Sequence, residues 1–182
     1  MKGAALIPTG EATVGPFFPP VEGGTHDLTV LSGRKAQGEA IEISGRVIQV
    51  DGRALEHVVV EIWQADAAGI YRHPADPRHA QADPAFLGWG RAATDAQGRY
   101  RFRTIRPGAP EGRAAHINFM VMYSGLMRIL KTTMFFEEAA DPVLEAVPPL
   151  RRKLLVSKKE KPGLYQFDIR LRGENETPFF DD

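Results

Sequence analysis

An all-β fold, an antiparallel β-sandwich with an extended N-terminal arm and long loops, is the class this sequence predicts. Short segments of alternating or β-branched apolar residues recur along the chain, Gly and Pro turns separate them, and no βαβ rhythm intervenes. Residues 1–40 carry no sustained periodicity and are punctuated by Pro8, Gly15-Pro16, Pro19-Pro20, Gly23-Gly24 and Gly33. They read as an arm that buries little alone and needs a partner's surface to dock on. Residues 41–182 read as the β-sandwich domain.

Within the domain, Ile41 to Val50 alternates as a strand, and Asp51-Gly52 is a hairpin-type turn. Val58 to Trp63 is β-branched and suits a strand buried on both faces. After a long loop, Thr94 to Gly98 is a tight turn leading into Arg99 to Ile105, with aromatics on one face and arginines on the other; Pro107-Gly108 ends that strand. Residues 115–123 and 128–136 read as two strands around Ser124-Gly125, and Leu164 to Leu171 closes the series. A short helix is predicted around Asp141 to Val147, bracketed by prolines.

The 182 residues suffice for one domain with a real core. Lys+Arg 23 against Asp+Glu 23 gives zero formal charge, which offers nothing to nucleic acid or an anionic membrane and favours association. Zero cysteines excludes disulfides and thiolate metal sites. No membrane span or signal-peptide core is evident, so a cytoplasmic protein is expected.

The chemistry-bearing candidates are histidines 26, 57, 73, 79 and 116 and tyrosines 71, 100, 123 and 165. His116 and Asn118 are two apart on a strand and share a face. A second histidine at 118 would complete half a metal site, but a neutral amide is a poor ligand for a transition metal. Tyr123, seven residues on, falls on the opposite face from His116, and Tyr100 shares a face with Phe102, as a core residue would. Tyr71 and His73 lie in a proline-stiffened loop, a place for binding or interface residues. The plain alternatives are a surface aromatic at Tyr71 and a strand histidine bonded to a backbone carbonyl at His116.

The segment Val60 to His73, Asp83-Pro84-Ala85-Phe86 with Gly90 to Asp95, Thr104 to Gly108, and the His116 strand together resemble the intradiol ring-cleaving dioxygenases. The arm Thr13-Val14-Gly15-Pro16-Phe17-Phe18, the triplet His116-Ile117-Asn118 and the ending Phe167 to Asp181 resemble the alpha subunit of the family's two-subunit members. The resemblance implies the family's β-sandwich and an O2-dependent cleavage of a catechol ring to a cis,cis-muconate. It also implies a ferric ion held by two tyrosines and two histidines of a partner beta subunit. Here Tyr71 matches the first tyrosine and His116 the first histidine. Asn118 replaces the second histidine, Ala109-Pro110-Glu111 stands where the second tyrosine is expected, and Arg113 matches an active-site arginine.

The resemblance thus implies a vestigial metal position that holds no iron, in a chain that forms an αβ heterodimer and higher oligomer with the beta subunit. Thr13, Gly15 and Pro16 would wall the substrate pocket in that partner. An arginine that related alpha chains carry on the strand after Gly125 is matched here by Thr133, with Arg128 the nearest basic residue, a departure that bears on whether the catechol is carboxylated. Two other readings stand beside this one. The Thr94 to Phe102 turn followed by Pro107-Gly108 also suits a non-catalytic prealbumin-like binding module. A stand-alone homologue with an altered metal site would use Tyr71, His73, His79 and His116.

Overall fold

The computed structural model describes Gly15 and residues 25–180. Its strands are β1 (Thr25–Asp27), β2 (Val30–Leu31), β3 (Arg34–Lys35), β4 (Ala40–Ile48), β5 (Val59–Trp63), β6 (Trp89–Ala93), β7 (Arg99–Ile105), β8 (His116–Met122), β9 (Leu130–Phe135), β10 (Lys158–Lys161), β11 (Leu164–Gln166) and β12 (Ile169–Arg170). They form two main sheets: β1-β7-β4-β11-β10, with β12 also on β4, and β6-β5-β8-β9. Apolar residues of both inner faces meet between them, among them Ile43, Phe102, Phe119, Val60 and Ile62. This is the two-layer sandwich that the alternation predicts.

Two features differ from the sequence reading. The first sheet is mixed, because β1 runs parallel to β7 and both β11 and β12 run parallel to β4. Parallel neighbours need a long crossover, and residues 49–163 supply the one from β4 to β11, passing through the second sheet, β7 and the helices on the way. Alternation within a strand carries no information about that direction. Residues 25–40, read as arm, also belong to the sandwich: β1 pairs with β7, and Leu28 enters the core at 4% exposure.

The second sheet carries the site on its outer face. In register, Trp63 of β5 lies opposite Asn118 of β8, and Asn118 lies opposite Thr133 of β9. The outer side of β9 is sealed by a satellite cluster of Phe135, Leu144, Val147 and Leu155. Leu144 comes from helix α1 (Pro142–Ala146), where Asp141 caps the N-terminus by accepting from Val143 N and Pro142 fits the first turn. A second short helix, α2 (Pro149–Arg152), follows; the surrounding prolines mask it in the sequence. Among the described residues no helix is long and apolar enough to cross a membrane.

Candidate functional site at the Tyr71–His116 pair

Two loops hold the site above the outer sheet face. Buried Asp66 organises the one that follows β5, accepting from Ala68 N and Ile70 N with one carboxylate oxygen and from Asp83 N with the other. Gly69, at φ +75°, lies so close to the Ala109 carbonyl that a side chain there would collide, which locks this loop to the segment after β7. Asp76 accepts from Tyr71 N at 3.0 Å and Arg78 N at 2.8 Å, which fixes the turn carrying Tyr71. Tyr71 is half-buried, so it is no plain surface aromatic.

Tyr71 and His116 meet. The phenol oxygen is 2.9 Å from His116 Nε2, and His116 Nδ1 is 2.7 Å from the Ala114 carbonyl. A carbonyl only accepts, so Nδ1 carries the proton, Nε2 accepts, and Tyr71 donates. Asn118 Nδ2 in turn donates to Tyr71 at 3.4 Å, and Thr133 Oγ1 donates to Asn118 Oδ1 at 3.1 Å. A directed chain results: Thr133 to Asn118 to Tyr71 to His116 to Ala114. His116 is 1% exposed and Thr133 5%. Burial lifts the Tyr71 phenol above its ordinary value, with the Asn118 hydrogen bond and the Arg113 charge opposing. Burial lowers His116 below its ordinary value; its bond to Ala114 opposes this and the Arg113 charge adds to it. At neutral pH both rings are neutral.

Arg113 stands beside the pair. Its Nε donates to Asp141 Oδ2 at 2.8 Å, while Ala114 N donates to the same oxygen at 2.9 Å. Burial pushes the Asp141 carboxyl up, but the bonds from Arg113, Ala114 N and Val143 N outweigh it and hold the group below the usual carboxylate range. Trp63, 37% exposed, closes the rim and meets Tyr71 and His73 edge-on at 5.4 and 5.6 Å.

The structure brings Tyr71, His116 and Asn118 into one hydrogen-bonded run, with the Arg113 charge acting on Tyr71 and His116. Thr133 belongs with them, since it donates to Asn118. His73 and His79 do not join the set. His73 Nδ1 accepts from Ala75 N, and exposed His79 places its ring on the Asp76 carbonyl. Tyr100 is core at 1% exposure, and Tyr123 packs against the core's edge. Among the described residues no group of three or more His, Cys, Asp or Glu could hold a metal ion. Thr13 and Pro16 lie outside the described residues; Gly15 is exposed. Sequence reasoning missed Asp141 and Trp63 as parts of the site. Asp141-Pro142 before a helix is a capping signal that could have found the former.

Comparison with known proteins places this geometry. A dioxygenase family model matches residues 13–173. The chain belongs to the intradiol dioxygenase family. Members of this family are ring-cleaving enzymes that depend on non-haem ferric iron. The chain is 37% identical to the protocatechuate 3,4-dioxygenase alpha chain of Burkholderia cepacia, across 97% of this chain and 98% of that one. It is 41% identical to the beta chain from the same organism, across 84% of this chain and 74% of that one. Among solved structures it resembles the dioxygenase domain of a carbohydrate-binding fusion protein from Streptomyces sp. SirexAA-E, with a TM-score of 0.57 at 26% identity, covering 91% of this chain and 98% of that one. It also resembles catechol 1,2-dioxygenase from Acinetobacter sp. ADP1, with a TM-score of 0.60 at 26% identity, covering 87% and 60%.

Proposed function

We propose that this chain is the alpha-type subunit of a two-subunit protocatechuate 3,4-dioxygenase, which cleaves a carboxylated catechol with O2 to 3-carboxy-cis,cis-muconate. The ferric ion belongs to the beta subunit, and this chain supplies pocket walls and assembly. The observation that supports the reading is the Thr133–Asn118–Tyr71–His116–Ala114 hydrogen-bond chain, which runs through the positions that the resemblance matches to the family's metal ligands. One phenol and one imidazole remain there of the two tyrosines and two histidines the family uses. The other neighbours are an amide already held by Thr133 and the guanidinium of Arg113, a cation that opposes a metal cation. Ferric ion does not fit this donor set.

The near end-to-end match to an alpha chain supports the same assignment. Identity to the beta chain is higher over the shared stretch, which favours a second reading in which this chain is itself catalytic. The donors missing at positions 118 and 109–111 weigh against it. A ferric ion held by the beta subunit would supply Lewis-acid chemistry to the bound catechol. Thr13, Gly15 and Pro16 wall that pocket and help exclude water from it.

Oxygen uptake with protocatechuate tests the reading. The chain alone is expected to consume none, while the chain co-expressed with its beta subunit consumes one O2 per substrate. Turnover by the lone chain would replace the proposal with the catalytic reading.

A further inference from the structure

We propose that a cavity between the end of α2 and the C-terminal strands binds a small organic anion carrying two or more carboxylates. The inference is independent of where the iron resides. Residues 151–161 hold six cations and one acid in a chain of zero formal charge. The structure sorts these cations by use. Arg151 donates from Nη2 to the Glu176 carbonyl at 2.9 Å, and Arg152 donates to the Val147 and Glu145 carbonyls at 3.0 and 3.2 Å, so both serve the fold. The Lys159 ammonium lies 5.9 Å from the centre of the Tyr165 ring. Lys153 and Lys158 instead line a cavity of about 280 Å3, which Arg170 of β12 joins from a separate element. This volume is near the lower end of small-molecule sites and suits a compact ligand.

The charges in this wall are not spent on one another. The side chains of Lys153 and Arg170 are exposed, and neither has a hydrogen-bond or ion-pair partner among the described residues. Lys158 meets Glu160 at 2.8 Å, but its side chain is 76% exposed and water screens such a pair. Asp168 is the one acid of the wall, and it accepts from Arg46 N at 3.0 Å and Gln166 Nε2 at 3.2 Å instead of from a cation. Glu174 and Glu176 flank Asn175 in the chain and stand outside the wall. The cavity therefore carries a net positive charge toward an anion. Cations from two separate elements ask for more than one carboxylate, and Arg170 offers one of them a two-pronged donor. Leu154, Val156 and Phe167 add apolar surface, which a short carbon skeleton covers and a bare inorganic anion does not. The loop that closes the cavity is already held in place. Thr177 N donates to the Arg170 carbonyl at 3.0 Å, Thr177 Oγ1 accepts from Arg170 N at 2.9 Å, and Arg151 clamps Glu176. A wall set before the ligand arrives loses little ordering entropy on binding.

The test is isothermal titration calorimetry of the full chain at neutral pH and constant ionic strength, with propane-1,2,3-tricarboxylate as the probe and acetate and inorganic phosphate beside it. One tricarboxylate per chain is expected, with acetate at least about tenfold weaker because it meets fewer cations. Lys153→Gln and Arg170→Gln are each expected to weaken the probe about threefold, and the two together about tenfold. Lys161→Gln removes an exposed charge of the same basic run outside the cavity and is expected to change binding by less than about 1.5-fold. All three side chains are exposed, so unfolding midpoints without the probe are expected to stay together. No saturable binding up to about 10 mM would overturn the inference. So would a loss with Lys161→Gln equal to that with Lys153→Gln, which would mean a diffuse basic surface. Phosphate binding as tightly as the tricarboxylate would overturn the assignment to an organic anion.

Discussion

Strand β8 turns Ile117, Phe119 and Val121 into the core at 0–1% exposure and His116, Asn118 and Met120 to the opposite side of the same sheet. The inward residues are held by non-directional packing: the Phe119 ring lies 5.2 Å from Phe167 and 6.0 Å from Tyr100. Their identity is replaceable in kind as long as volume is kept. The outward residues are held by directed hydrogen bonds in which each donor and acceptor has a fixed role. A seven-residue strand thus carries two kinds of specification, one of volume and one of donor and acceptor roles. The amide at position 118 is satisfied at both ends, because Thr133 donates to its oxygen and Tyr71 accepts from its nitrogen.

The largest effect that separates the two faces is on stability. Phe119→Ala is expected to cost about 3–5 kcal/mol in denaturant unfolding, whereas Met120→Ala, one residue along, changes it by under about 1 kcal/mol. Equal losses would mean that the outer face is covered as tightly as the core. Asp141→Ala removes the α1 cap and the Arg113 partner together, and is expected to cost about 2 kcal/mol by the same measurement. Tyr71→Phe breaks the chain at its centre, leaving His116 Nε2 without a donor, at about 1 kcal/mol. A loss near zero would show that the phenol points elsewhere in solution.

The smallest effect is a pH dependence. His116 titrates below its ordinary value of 6.5, so the unfolded chain takes up this proton more readily than the folded one. Stability is therefore expected to fall as pH drops from about 6.5 toward the folded value, and to level off below it. Unfolding midpoints measured across that window, with His116→Asn as the control that removes the slope, decide whether the imidazole is buried and neutral.

Most of the β-architecture is legible in the sequence because side-chain alternation and Gly turns are local signals. Tyr71 and His116 are legible as candidates for the same reason: one lies in a stiffened loop, the other on a strand face. Strand direction is not legible, since β11 and β12 alternate identically whether they run with or against β4. Nor does the sequence tell that Leu28 enters the core, because β1 is three residues long and shows no period. In the sequence Thr133 stands out by the charge it lacks, whereas its hydroxyl is what the fold uses. Register between β8 and β9 places it opposite Asn118, and register is a property of two strands that neither reveals alone.

Iron content per chain, read together with the visible tyrosinate-to-ferric absorption band, tests the central claim most directly. The account predicts no iron and no colour in the purified chain, and one iron per αβ pair with full colour after co-expression with the beta subunit. Stoichiometric iron and colour in the chain alone would contradict it and reassign Tyr71 and His116 as working ligands.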